Sequence, residues 1–242
     1  MPRLRSVLIT GTDTGVGKTW VGCALARAAN AAGYRVAAIK PVETGCGAAA
    51  SEHAAGESAA GETEDGVLLA KAARQSAPAH AIIRLREPLA PAAALDEADT
   101  GIDFDALVLR IERYTKGADL VLLEGAGGLL VPITWEWNIA DLAEAAGAGA
   151  LLVAADRLGT INHTLLTLSA LELAGIPVLG IVLTPPAVAD RSTGTNAAAI
   201  ARLSGIERML AVPRTNDPDT AREAMGPVLK WVEIVAGTEE QP

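Results

Sequence analysis

The sequence predicts an α/β fold, a mainly parallel sheet with helices on both faces. Short apolar runs alternate with helical segments along most of the chain, which is typical of βαβ units. The first apolar run, 7–9, leads directly into a glycine-rich segment and then into a helical one. With 242 residues, half of them hydrophobic, the chain can fill one core. We therefore predict a single domain over 1–242.

The predicted elements follow in order. Residues 20–32 form an Ala-rich helical segment that Gly33 ends, and 36–39 form the second strand. The other predicted strands are 120–123, 151–154, 178–183 and 209–212, and the other helices are 104–115, 165–174 and 197–203, with a further helical pattern at 67–70. We expect a flexible loop at about 46–64, which is rich in small and polar residues, and a frayed tail at about 237–242.

The segment Gly11-Thr-Asp-Thr-Gly-Val-Gly-Lys-Thr19 indicates a phosphate-binding loop of the P-loop NTPase type. Its glycines let backbone N–H groups point at phosphate oxygens, and the following helix contributes its positive end. Five residues separate Gly11 from Gly17, whereas the general pattern has four, so a plain strand–turn–helix corner is the alternative. The Gly-Lys-Thr ending favours nucleotide binding. The predicted contacts here are Gly15, Val16, Gly17, Lys18, Thr19 and Trp20.

Ligands of parallel sheets bind beyond the carboxyl ends of the strands, so the residues there are candidates for chemistry. Glu124 follows a buried strand and precedes Gly125, Ala126 and Gly127, which let the backbone approach phosphates. Mg²⁺ takes oxygen ligands, and Glu124 with the Thr19 hydroxyl fits that preference. Asp65 would complete the set. Its alternative role is that of a helix N-cap or first-turn acid, and the two roles are compatible.

Lys40 ends the second predicted strand and precedes a proline. A lysine at this place, beside bound phosphate, would stabilise a developing anion. The alternative is a surface lysine whose stem covers apolar area. Thr44, four residues on, would hydrogen-bond a polar substrate or shape the turn before Gly45.

Composition excludes several functions. The net charge of −9 and the seven aromatic residues argue against nucleic acid as a partner. No secretion-signal pattern and no run of about 18 apolar residues is present in the sequence, so we expect a cytoplasmic protein without a membrane contact. Cys23 and Cys46 are expected to be reduced thiols. We assign His163 no catalytic role. Trp135 and Trp137 could cover a ligand, but we expect them to pack at the edge of the core.

Four blocks together resemble the dethiobiotin synthetase family: 11–19, Lys40-Pro-Val-Glu-Thr-Gly45, Glu124-Gly-Ala-Gly-Gly-Leu-Leu-Val-Pro132 and Leu158-Gly-Thr-Ile-Asn-His-Thr164. The resemblance covers about 6–215 and includes the long P-loop spacing. It implies an ATP-dependent cyclo-ligase of biotin biosynthesis that makes dethiobiotin, ADP and phosphate from 7,8-diaminononanoate, CO₂ and ATP with Mg²⁺. A carbamate and then a carbamic–phosphoric anhydride are the implied intermediates.

The resemblance also implies roles for single residues. Lys40 would neutralise the carbamate and the transferring phosphoryl group, and Lys18 with the N–H groups of 15–19 would hold the β- and γ-phosphates. The implied Mg²⁺ ligands are Thr19, Asp65 and Glu124; the diamine contacts are Thr14 and Thr44; the base and ribose contacts are Pro213, Arg214 and Thr215. Family members are homodimers with the diamine near the subunit interface.

Two positions depart from the family pattern. Gly15 stands where many members carry Glu, and Thr184 stands where many carry an Asn that contacts the base. Losing that amide would relax the preference for ATP over other nucleoside triphosphates.

Three alternative functions remain at this point. A glutamine-dependent amidoligase of the cobyrinate type needs a glutaminase domain for which this chain has no room. A partitioning or cell-division ATPase carries an extra lysine early in the P-loop, and 12–16 contain none. A non-enzymatic binding module would not need the charged side chains of Lys40, Asp65 and Glu124 around the nucleotide, which argues against this alternative.

Overall fold

The computed structural model describes residues 6–47 and 63–237, so most of the predicted loop at 46–64 and of the predicted tail lies outside the described residues. The strands are β1 (Ser6–Gly11), β2 (Val36–Ile39), β3 (Val42–Glu43), β4 (Ile83–Arg84), β5 (Leu120–Gly128), β6 (Gly149–Ala155), β7 (Val178–Thr184) and β8 (Met209–Ala211). The helices are α1 (Lys18–Ala31), α2 (Asp65–Ala73), α3 (Pro91–Glu97), α4 (Phe104–Thr115), α5 (Ile139–Ala145), α6 (Thr160–Leu173), α7 (Asn196–Ser204), α8 (Pro218–Ala224) and α9 (Gly226–Gly237).

Six strands form one sheet in the order β2-β5-β1-β6-β7-β8, and every neighbouring pair is parallel. β1 lies inside the sheet, where Leu8 stands opposite Leu123 of β5 and Ala150 of β6. Because all six strands run the same way, their carboxyl ends meet at one edge. That edge is where a ligand of such a sheet binds. A separate parallel pair, β3 with β4, follows β2.

Alternate residues of β1 enter two apolar layers, one on each face of the sheet. Val7 and Ile9 face the layer that α1, α2, α8 and α9 cover, whereas Leu8 faces the layer that α4 to α7 cover. The predicted α/β class with helices on both faces is confirmed. Within the described ranges, no helix is long and apolar enough to span a membrane.

The sequence analysis missed the short elements β3, β4, α3, α5 and α8, and also the 12-residue helix α9. α5 has only seven residues, but a capping box formed by Asn138 and Asp141 stabilises its first turn. α6 begins at Thr160, five residues before the predicted start, because Gly159 adopts the left-handed conformation that precedes the helix (φ 92°). β5 continues to Gly128, whose partner is Gly11.

The prediction that Trp135 and Trp137 pack at the edge of the core is wrong. Their exposed fractions are 69% and 44%. The Trp137 ring stacks on Phe104 with centroids 4.9 Å apart, and the Trp135 indole N–H donates to Asp96. The bridge between Pro132 and Asn138 closes this segment as a tight excursion, which turns both indoles outward.

Candidate active site

The loop between β1 and α1 has the backbone of a phosphate cradle. Gly15 and Gly17 adopt positive φ angles of 73° and 90°, which residues with a Cβ rarely adopt. A Cβ on Gly17 would lie 3.1 Å from the Thr184 methyl, so the loop packs directly against the end of β7. Gly17 is the N-cap of α1, and as a glycine it has no side chain that could cap the helix. The N-terminal N–H groups of α1 therefore suit an anion.

Lys18 is buried beside this loop, and its ammonium donates to the Asp13 carbonyl at 3.0 Å. Burial, and next the nearby charge of Lys40, lower the pKa of Lys18 to about 8. Two lysine ammonium groups thus face the same small space. A polyanion between them would relieve both the desolvation and the repulsion.

Four side chains from four elements meet next to the loop. The Thr19 hydroxyl lies 2.7 Å from an Asp65 carboxylate oxygen and 2.9 Å from Glu124 Oε1. The Lys40 ammonium donates to the other Asp65 oxygen at 2.9 Å, to Glu124 Oε1 at 2.7 Å and to the Gly125 carbonyl at 3.3 Å. Lys40 is only 4% exposed, so it is not a surface lysine. Asp65 is the first residue of α2, as its N-terminal alternative predicted, and its carboxylate also faces the cluster.

Charge pairing governs the protonation of this cluster. Burial opposes the charge on Lys40, but the attraction of Glu124 and Asp65 exceeds that cost and raises the pKa of Lys40. Burial raises the pKa of Glu124, whereas for Asp65 the contacts with Lys40 and Thr19 outweigh burial and lower the pKa. Lys40 is therefore held as an ammonium ion between two carboxyl groups.

The cluster fits a small divalent cation. The Thr19 hydroxyl lies within hydrogen-bond distance of both carboxylates, and hydroxyl and carboxylate oxygens are the hard ligands that Mg²⁺ prefers. Glu124 Oε2 is buried and has no hydrogen-bond partner among the described residues. Burying a carboxylate oxygen without a hydrogen-bond partner costs folding free energy unless a ligand interacts with it.

Two cavities adjoin at the P-loop and share Thr14, Gly15 and Gly17. The larger has a volume of about 800 Å³. Its lining includes these predicted residues: Thr14, Gly15, Gly17, Lys18, Thr19, Lys40, Thr44, Asp65, Glu124, Ala126 and Gly127. The smaller, about 340 Å³, is lined by Thr14, Gly15, Val16, Gly17, Trp20, Thr184, Pro213, Arg214 and Thr215. The Gly125 carbonyl accepts a hydrogen bond from Lys40, which lines the larger cavity.

Contacts across the smaller cavity bind its walls together. The Trp20 indole N–H donates to the Thr215 carbonyl at 3.0 Å, and the Arg214 guanidinium donates to the Pro186 carbonyl. The Thr184 hydroxyl donates to the Val16 carbonyl at 2.7 Å. Thr184 therefore fixes the P-loop to β7, and its hydroxyl hydrogen is committed to that contact.

Sequence reasoning missed three parts of the site. Glu43 lines the larger cavity, and its carboxylate accepts hydrogen bonds from the backbone of α2. Arg157 lines the smaller cavity and lies 3.5 Å from Asp13 of the P-loop. The segment 88–91 walls the larger cavity. Glu43 stands inside the motif 40–45, which was the available signal, whereas nothing local marks 88–91.

A parallel sheet with a P-loop after its central strand, and a threonine–carboxylate cluster beside that loop, define the P-loop NTPase class. The family model described as "AAA domain" matches residues 5–222. The chain is 42% identical over 231 residues to the ATP-dependent dethiobiotin synthetase BioD of Anaeromyxobacter dehalogenans strain 2CP-C, covering 93% of this chain and 97% of that protein. It is 37% identical to the protein of that name from Aquifex aeolicus, with coverage of 90% and 92%. The chain belongs to the dethiobiotin synthetase family.

Solved structures agree on the fold. The septum site-determining protein MinD from Pyrococcus horikoshii, complexed with Mg-ADP, superposes with a TM-score of 0.51 at 15% identity and with coverage of 98% and 96%. A DUF1611 family protein from Anabaena variabilis gives 0.57 at 21% identity, where the match spans 97% of this chain and 58% of that one. At these identities the likeness concerns the fold alone.

Proposed function

We propose that this protein is an ATP-dependent dethiobiotin synthetase that closes the ureido ring of dethiobiotin from 7,8-diaminononanoate and CO₂. The observation that carries the proposal is the contact of Lys40 with both Asp65 and Glu124 beside the P-loop, at the floor of a cavity of about 800 Å³. Family membership names the reaction, and this geometry supplies the charges that it needs.

The proposed chemistry runs in three steps. One amine of the diamine adds to CO₂ and loses a proton, which gives a carbamate. The carbamate oxygen takes the γ-phosphoryl group from ATP, and ADP leaves. The second amine then attacks the carbamate carbon and loses a proton, so that the ring closes and phosphate leaves. Positioning and charge neutralisation are expected to supply most of the rate.

Each group of this chain has a task in those steps. Lys18 and the N–H groups of 15–19 hold the β- and γ-phosphates, and Lys40 balances charge on the carbamate and the transferring phosphoryl group. Thr14 and Thr44 contact the diamine. Mg²⁺, when bound by Thr19, Asp65 and Glu124, neutralises phosphate charge.

An assay of phosphate release, together with identification of the product, tests the proposal. Phosphate release from MgATP is measured with bicarbonate, with and without 7,8-diaminononanoate, and the product is weighed by mass spectrometry. We expect release to depend on the diamine, and we expect the product to carry one carbonyl group in place of two amine hydrogens of the diamine. Release that is indifferent to the diamine would overturn the substrate and favour a switch ATPase, and the absence of turnover in both assays would favour a binding module.

We further propose that base discrimination is weak. The Thr184 hydroxyl is engaged by the Val16 carbonyl, and Gly15 presents no side chain to the smaller cavity. A buried polar contact decides discrimination, so without a side-chain amide at 184 we expect kcat/KM values for ATP, CTP and GTP within about 10-fold of each other. Competition between the triphosphates measures this ratio. A preference for ATP of several hundred-fold would refute the hypothesis.

We also propose one domain over 1–242, a cytoplasmic location and a homodimer. Leu166 and Leu173, seven residues apart on α6, are 62% and 91% exposed, which suits a face that a second copy covers. Sedimentation equilibrium is expected to give about twice the 24.7 kDa of one chain. The mass of a single chain at micromolar concentration would refute the dimer.

A further inference from the structure

Glu43 holds the beginning of α2 although it lies 22 positions before Asp65 in the sequence. One carboxylate oxygen accepts the backbone N–H of Asp65 at 2.6 Å, and the other accepts that of Gly66 at 3.0 Å. Glu64, the residue at the N-cap position, makes no side-chain cap hydrogen bond to the described helix. Glu43 therefore caps the N-terminus of α2 from another part of the chain.

Glu43 is itself held firmly. It is 7% exposed, and β3 fixes its backbone, since Leu85 N–H donates to its carbonyl at 2.8 Å. The same strand pair holds the neighbouring active-site lysine, because Ile82 N–H donates to the Lys40 carbonyl at 3.0 Å. The anchor of α2 and the catalytic lysine thus share one rigid support.

The first turn of α2 also packs tightly at Gly66 against the backbone at 80–81. A Cβ on Gly66 would lie 2.2 Å from the Ala81 nitrogen and 2.8 Å from the His80 carbonyl carbon. The first turn is therefore held by the Glu43 carboxylate at its N–H groups and by this backbone at Gly66. These contacts restrict where the Asp65 carboxylate meets Thr19 and Lys40.

We propose that Glu43 is a positioning residue, which sets Asp65 for its role toward the bound metal and acts on turnover only through Asp65. The inference rests on the proposed function for the role of Asp65. Residues that orient ligands typically change metal affinity or activity by roughly 10- to 100-fold when they are altered. The carboxylate of Glu43 binds two N–H groups and needs no contact with substrate for this task.

The test compares Glu43→Ala and Glu43→Gln with Glu64→Gln. Glu64 is the matched control, because it adjoins Asp65 but its carboxylate pairs with Arg84 at 2.6 Å. We expect Glu43→Ala to raise the Mg²⁺ concentration for half-maximal turnover roughly 10-fold, while kcat at saturating Mg²⁺ stays within about 3-fold. Glu43→Gln keeps one acceptor oxygen, so its half-maximal Mg²⁺ concentration is expected to lie between those of Glu43→Ala and the parent protein. Glu64→Gln is expected to match the parent protein.

Mn²⁺ binding in the presence of ADP, followed by electron paramagnetic resonance, gives a readout independent of turnover. It is expected to weaken in the same order, so failure of the diamine assay leaves this test intact. In an Asp65→Asn background, Glu43→Ala is expected to change Mn²⁺ binding by less than about 2-fold.

A loss of kcat that excess Mg²⁺ does not restore would mean that Glu43 acts on the reacting groups or on Lys40 rather than on the metal site, and would overturn the proposal. A lowered melting temperature with unchanged metal dependence would also overturn it, because the role would then be structural only. If Glu43→Ala does not fold, Glu43→Gln decides between these outcomes.

Discussion

Lys40→Ala is expected to lower kcat by about 100- to 1,000-fold, the loss that follows removal of one group that stabilises developing negative charge. Lys40 is the ammonium ion in contact with both carboxylates of the cluster, and in the proposed reaction it faces the carbamate and the transferring phosphoryl group. Single-turnover phosphate release measures the chemical step. ADP binding is expected to change by less than about 10-fold, because Lys18 and the loop N–H groups remain.

The variant also leaves the buried Glu124 carboxyl group without its cation, and breaking a buried ion pair in this way commonly costs about 3–5 kcal/mol of folding free energy. Turnover is therefore measured below the melting temperature of the variant, with ADP binding as the test of an intact site. Lys71→Ala, which removes an exposed lysine of α2, is the matched control and is expected to turn over like the parent protein. Near-normal kcat in Lys40→Ala would remove Lys40 from the chemistry.

The sequence predicted the parts of this site that strand ends determine. Gly15, Gly17 and Lys18 follow β1, Lys40 follows β2, and Glu124 lies within β5. Parallel strands must bring these positions to one edge, so no knowledge of side-chain packing was needed. The sheet and its two covered faces were predictable for the same reason, since apolar runs of strand length alternate with helical segments.

Contacts between distant segments were not predictable in this way. The acceptor of the Asp65 N–H is Glu43, across 22 residues, and no pattern of caps in the sequence points to it. Thr184 could be named as a residue at a strand end, but the engagement of its hydroxyl by Val16 depends on how closely β7 approaches the P-loop. Trp135 and Trp137 were misplaced because their apolar area suggested burial, whereas a tight bridge sets their direction.

Glu124→Gln is expected to raise the Mg²⁺ requirement by at least about 10-fold and also to lower kcat at saturating Mg²⁺. The change keeps the size of the side chain but removes a charge that is 1% exposed and that pairs with Lys40 at 2.7 Å. Mg²⁺ titrations of turnover and Mn²⁺ binding with ADP measure the two effects separately. Glu144→Gln, an exposed position on α5, is the control.

The two metal experiments separate two kinds of residue. Glu124 offers its own oxygens to the metal site and also holds Lys40, so excess Mg²⁺ cannot restore the whole loss in Glu124→Gln. Glu43 reaches the metal only through Asp65, so excess Mg²⁺ restores most of the loss in Glu43→Ala. An unchanged metal dependence in Glu124→Gln would exclude Glu124 from the metal ligands, and would leave Lys40 as its only partner of opposite charge within hydrogen-bond distance among the described residues.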